Sequence, residues 1–278
     1  MRFIKELYGF SGCKLHLLDH KSGRIVRKYA RNKDYNSRLK MQAEKQLLIG
    51  SLSAEIKAPR ILGYGHNNGI FYFDMEYIMG ENALSYLFHS DFAQTKKLLD
   101  KIFGILKIFK SKKCSNKKTL HDGTAEKADA IIRNHLFDKK LKNKIYDIIA
   151  GLKKISCPGS ICHGDFTLEN IFLDFKGSIY LMDMLDSYYD SYWFDIMKLY
   201  QNIEADGYKI NHGSEELSAS KKLYLLDEFQ AFCGQEAGGY RAAHQALMLM
   251  TFMRMLPYAR DTVHIGEIMN RVRYYCKG

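Results

Sequence analysis

Long apolar runs are missing from this 278-residue chain. Its most apolar window, Leu247 to Leu256, falls far short of a bilayer span and is broken by Arg254, which excludes a helical membrane protein. The opening Met1-Arg2-Phe3-Ile4-Lys5-Glu6 carries no apolar core of signal length, so a cytoplasmic location with no membrane partner is expected. Six cysteines, at positions 13, 114, 157, 162, 233 and 276, form no C-x-x-C pair. Their spacing argues against a disulfide framework and predicts buried reduced thiols. Prolines number only three, and neither a low-complexity linker nor an internal repeat interrupts the chain.

The composition that remains is that of an ordinary folded domain, with 46% hydrophobic and 26% charged residues and enough length to bury a large core. Net charge is +11, which suits nucleic acid, an anionic surface or an anionic small molecule. Many of the lysines fall between Lys96 and Lys154 on stretches of helical periodicity, where a basic face is usually only solvated. No nucleic-acid motif accompanies them, and no nucleic-acid partner is expected.

The informative stretch runs from Ile161 to Asp183 and reads as strand, loop, strand, turn, strand, with Phe175-Lys176-Gly177 at the turn. Asp165 and Asn170 are separated by four residues, and Asp183 follows 18 residues after Asp165. D-x-x-x-x-N is the spacing of a phosphotransferase catalytic loop, in which Asp receives the acceptor hydroxyl's proton and Asn helps to hold magnesium. A hard cation needs oxygen donors, which an amide and a carboxylate supply.

On these residues the chain resembles the aminoglycoside phosphotransferase and choline kinase family, small-molecule kinases with a protein-kinase-like fold. His163-Gly164-Asp165 with Asn170 matches the family's H-G-D-x-x-x-x-N, and Phe194-Asp195-Ile196 resembles the later Asp that braces the catalytic loop. The run His163 to Asn170, with Asp195 to Gln201, is also similar to a bacterial branch associated with surface polysaccharide genes. The resemblance implies an α+β, two-lobed fold: residues 1–78 as a small antiparallel β-sheet lobe with one helix, residues 79–278 as a larger, mainly helical lobe. It implies Asp165 as catalytic base, Asn170 and Asp183 as Mg2+ ligands, and ATP or GTP as phosphoryl donor. Met184-Leu185 follows Asp183 and no A-P-E segment comes after it, so a protein kinase's phosphorylatable activation segment is not expected.

The nucleotide side is fainter. Tyr8-Gly9-Phe10-Ser11-Gly12-Cys13 occupies the place of the nucleotide-covering loop, with Ser11 and Gly12 as candidate phosphate contacts. Val26 and Lys28 share one strand face, from which an inward Lys28 reaches nucleotide phosphates; residue type favours Lys28 as the phosphate cation over its competitor Arg27 on the opposite face. Glu44, inside the helical run Tyr35 to Leu48, is the expected ion partner of Lys28. Glu76, Tyr77 and Ile78, just before Gly80, are candidates for meeting the adenine edge through their main chain. Ser111 to Thr124 reads as a polar loop, and Tyr188, Tyr189, Tyr192 and Trp193 as core aromatics or the lining of an acceptor pocket.

The reading is therefore a small-molecule kinase acting on an alcohol, with a sugar-type precursor of surface polysaccharide as the expected acceptor. Choline or an aminoglycoside is the alternative acceptor. A nucleotide-binding pseudokinase or interaction module is the alternative of another class.

Overall fold

The computed structural model describes residues 1–7, 13–21, 23–135, 137–206, 216–259 and 261–277. They fold as two compact units, one of Met1–Tyr86 with Glu169–Asp186, the other of Leu87–Leu168 with Ser187–Gly278. The first division therefore falls after Tyr86 rather than after Ile78, and a later segment of chain returns to the first unit. The reason is strand pairing. β6 (Gly80–Asn82) forms an antiparallel sheet with β7 (Ile171–Asp174), and β7 pairs with β8 (Ile179–Leu181). A Cβ on Gly80 would stand 1.9 Å from the Leu173 carbonyl oxygen, so the approach of β6 to β7 requires glycine there.

The rest of the first unit is a five-stranded antiparallel sheet in the order β1-β2-β3-β5-β4. Its strands are β1 (Arg2–Leu7), β2 (Lys14–His20), β3 (Gly23–Tyr29), β4 (Ile61–Asn67) and β5 (Ile70–Glu76). One helix, α1 (Asn36–Gly50), packs its Leu39 and Ala43 with Tyr35, Phe71 and Phe73. Hydrophobic alternation in β5 and a helical apolar stripe in α1 meet in that core.

α2 (Ala83–His89) straddles the division in sequence. The second unit is helical: α3 (Phe92–Ser111), α4 (Leu120–Asn134), α5 (Lys139–Gly151), α6 (Tyr192–Ile203), α7 (Ala219–Glu236), α8 (Tyr240–Met253) and α9 (Thr262–Tyr275). α6 is buried at every position except Lys198, and α8 buries all of Ala246 to Met253. Helices that are apolar nearly all round form the centre of a core, so the polar residues they carry need specific partners.

Two expectations are corrected here. Ile161 to His163 forms no strand; Ile161 N–H donates to the Lys112 carbonyl, and the hairpin begins only at Ile171. The polar stretch after Ser111 ends earlier than Thr124, because Thr119 accepts the Asp122 N–H and caps α4 from Leu120. His121 and Asp122 stand in that first turn, joined at 2.9 Å.

Candidate active site

In the first unit, β3 presents Lys28 to the interior, opposite Leu15 and Phe73 in the sheet. Its Nζ donates to Asp183 Oδ1 at 2.5 Å and to Gln42 Oε1 at 3.1 Å. Burial alone would push the Lys28 pKa down; the charge and hydrogen bond of Asp183 outweigh it and hold the pKa above the ordinary value. Glu44 is not the partner. It sits on the exposed side of α1, while Gln42 and Gln46 lie on the buried side, because two residues along a helix turn through roughly 200°. The Lys28 contact therefore falls to an amide two positions earlier and to a carboxylate far along the chain. Arg27, on the opposite strand face, is committed elsewhere: Nε and Nη2 grip Asp74 at 2.6 and 2.9 Å, and Cζ lies 3.9 Å from the Tyr72 ring centroid.

Asp183 has φ +54°, the left-handed region that costs a non-glycine residue energy and persists only where surroundings enforce it. Asn170 closes a short 3-10 turn, and its carbonyl accepts the Met182 N–H at 2.8 Å. Asn170 directly precedes β7 and bonds to Met182, one residue past the end of β8, which fixes both candidate metal donors to one hairpin. A carboxylate and an amide oxygen suit magnesium, which completes its shell with water and phosphate oxygens. Among the described residues, no group of three His, Cys, Asp or Glu side chains could hold a metal by itself.

The segment Glu76 to Ile78 lines an open cavity of about 360 Å3 with Met79 and Tyr180. The Glu76 N–H donates to Arg60 O and the Tyr77 N–H to Arg24 O, and the Glu76 side chain pairs with Arg60 at 2.9 Å. The Ile78 N–H has no partner of this kind among the described residues. Ser11 and Gly12 lie outside the described residues.

In the second unit, the loop from His163 to Leu168 is strapped to one face of α6. Asp195, fully buried, accepts the His163 N–H at 2.8 Å and the Gly164 N–H at 3.0 Å. Lys198 Nζ meets Asp165 Oδ1 at 2.9 Å, and Asn202 accepts the Leu168 N–H at 2.8 Å. Residues 195, 198 and 202 recur at helical spacing, so three polar side chains reach one side of an otherwise apolar helix. Gly164, at φ +87°, makes the turn that aims both N–H groups at Asp195. His163 is buried against Phe166, and its Nδ1 accepts the Asp165 N–H.

Burial of Asp165 would raise its pKa. The charge of Lys198 and its hydrogen bond, helped by His163 and Arg254, reverse that and leave a carboxylate below the ordinary range. Of the four aromatic residues read as core or as acceptor lining, Tyr189, Tyr192 and Trp193 are core, and Tyr188 is half-buried beneath Arg254.

A model of the phosphotransferase enzyme family matches residues 9–229. The chain belongs to the phosphotransferase enzyme family. Among solved structures it is similar to choline kinase LicA from Streptococcus pneumoniae, at 14% identity and TM-score 0.64 over 99% of this chain and 93% of that one. An aminoglycoside-3'-phosphotransferase of type VIII aligns at 15% identity and TM-score 0.59, covering 90% and 93%. A spectinomycin phosphotransferase in complex with ADP and spectinomycin aligns at 12% and 0.58, covering 97% and 88%. Identities this low establish the protein-kinase-like fold and leave activity to the site. No curated protein matches the chain in sequence.

For a member of the phosphotransferase enzyme family, sequence reasoning missed Gln42, Lys198 and Asn202 as residues that hold the site. Polar residues at helical spacing on α6 were the available signal for the last two. Nothing local distinguishes Gln42 from Glu44.

Proposed function

We propose that the chain transfers the terminal phosphoryl group of ATP or GTP to a hydroxyl of a small sugar-type molecule. The observation that carries this reading is the Lys28–Asp183 pair, at 2.5 Å, because it joins a phosphate-binding cation to a metal-binding carboxylate. The Asp183 side chain keeps 34% exposure, and with Asn170 it would hold Mg2+. When bound, Mg2+ neutralises charge on the phosphate oxygens. Lys28 holds the same phosphates, and the Ile78 N–H meets the edge of the base. Asp165 accepts the hydroxyl proton as the acceptor oxygen bonds to phosphorus and the nucleoside diphosphate departs. Positioning and charge neutralisation supply most of the rate, since the step asks little covalent chemistry of the protein.

A base and a metal ligand fail differently. Asp165→Asn should bind Mg-nucleotide normally and lose turnover by roughly 10²- to 10⁴-fold, whereas Asp183→Asn should lose magnesium-dependent nucleotide binding. Calorimetry with Mg-nucleotide, beside transfer of labelled phosphate to a hexose panel, separates the two. Equal binding losses in both variants would reverse the roles, and nucleotide binding with no transfer to any acceptor would leave a pseudokinase.

A further inference from the structure

Arg254, the residue that breaks the most apolar stretch of the sequence, ends α8 in the second unit. Its Cζ lies 5.5 Å from the Tyr188 ring centroid. Its Nη1 is buried and has no hydrogen-bond partner among the described residues. A buried guanidinium nitrogen normally finds a carboxylate or a carbonyl, because taking a charge out of water is costly unless it is paired. Two partial compensations exist, the face of Tyr188 and the carbonyl end of α8. Neither saturates a forked donor built to grip a carboxylate or phosphate through two bonds.

The surrounding charges leave Arg254 in excess. Asp165 is near enough for Arg254 to help depress its pKa, but its carboxylate is already paired with Lys198 at 2.9 Å. Lys198 also donates to Gln201. Asp190, the next carboxylate of this loop, accepts from Cys162 Sγ, and its backbone is bound to Asn116 on both sides. The residue before Tyr188, Ser187, adds a buried hydroxyl with no partner among the described residues. A polycationic acceptor would meet a guanidinium and an ammonium where it needs carboxylates. Of the aromatic residues that would cage a quaternary ammonium, Tyr189, Tyr192 and Trp193 are packed in the core, and Tyr188 already lies under the Arg254 guanidinium.

We propose that Arg254 is the recognition residue for an anionic group on the acceptor, so that the substrate is an acidic sugar, carrying a carboxylate or a phosphate besides its reacting hydroxyl. The inference rests on the phosphotransferase reading of Asp165 and names the acceptor class for that same site. Lys198 cancels the charge of Asp165 and removes its repulsion of the acid, while Arg254 supplies the attraction. Tyr188 beneath the guanidinium holds its plane.

The test is calorimetric binding of glucose, glucosamine, glucuronate and glucose 1-phosphate, with Mg2+ and a non-hydrolysable ATP analogue present. Wild-type protein, Arg254→Gln and Arg254→Lys are compared. Glucuronate or glucose 1-phosphate should bind at least ~10-fold more tightly than glucose, with glucosamine weakest. Arg254→Gln should erase the preference and Arg254→Lys should keep part of it. The two acidic probes distinguish a carboxylate from a phosphate. Glucose or glucosamine binding as well as the acids, or no binding by any of the four, overturns the proposal, and this wild-type ranking holds its meaning even if Arg254→Gln does not fold. Arg254→Gln weakening all four probes equally would make Arg254 a structural cap and also overturns it. Acid binding that obeys the ranking without phosphate transfer would instead defeat the phosphotransferase reading alone.

Discussion

At the scale of single residues, neighbours on one strand have opposite fates, and burial with partners decides which. Arg27 and Lys28 are both cations of β3, yet Arg27 is held by Asp74 while Lys28 bonds to Asp183 and Gln42. Lys28→Ala should weaken Mg-nucleotide binding ~10- to 100-fold, as expected for a lost charge-assisted contact. Arg27→Ala should leave that affinity alone and destabilise the fold by about 3 kcal/mol, since it strands the Asp74 carboxylate in the interior. Glu44→Ala should change neither. Nucleotide titration and urea unfolding of the three variants check the assignment, and a nucleotide defect confined to Arg27→Ala would reject it. Asp165 gives a pH prediction of definite sign. Its pKa is depressed against burial chiefly by Lys198, so activity that depends on the carboxylate is present above the depressed value and lost as pH falls through it. Lys198→Gln should raise that pKa and move the acid limb of kcat/KM to higher pH, and Lys198→Arg should restore it. A uniform loss with an unmoved limb would mean that Lys198 only supports the fold.

At the scale of elements, helix and strand periodicity were legible because each is a local repeat. The helical run expected over Tyr35 to Leu48 lies close to α1. Ile161 to His163 deceived because a short apolar run looks the same whether its backbone enters a ladder or is held by a neighbouring loop and by Asp195. The four bonds from α6 to the loop of His163 to Leu168 were written in the sequence as three polar residues at helical spacing, but their targets were not. The β6–β7 pairing makes a sharper demand. Gly80→Ala would drive a Cβ into the Leu173 carbonyl, and because that contact is backbone, it cannot be relieved by a side-chain rotation. A loss of roughly 1 to 3 kcal/mol or more is expected. Gly104→Ala in α3, where a new Cβ meets nothing within 4 Å, should instead stabilise by about 0.5 to 1 kcal/mol. Urea midpoints of the two variants should move in opposite directions; a neutral Gly80→Ala would show that β6 yields freely.

At the scale of the whole molecule, a net charge of +11 says little by itself, because exposed charges are screened within about a Debye length. Lys139, Lys140 and Lys144 lie on the exposed side of α5 while Leu141, Ile145 and Ile149 face inward. Exposed lysines of this kind add to the total and have no part in the site, whereas Lys28 and Lys198 are buried or half-buried against carboxylates. No helix among the described residues is long and apolar enough to cross a membrane, in keeping with the break that Arg254 makes in the longest apolar stretch. The sequence by itself determined most of the element types, the order of Asp165, Asn170, Asp183 and Asp195, and the family, since all of these are patterns of spacing along the chain. Only the tertiary structure decided that Lys28 pairs with Asp183 and Gln42, that Lys198 holds Asp165, and that Arg254 keeps a buried nitrogen without a partner. Those outcomes join residues up to 155 apart in sequence, and which charges meet is set by burial and packing, which raise the strength of a contact and the cost of leaving it unmade, not by spacing along the chain.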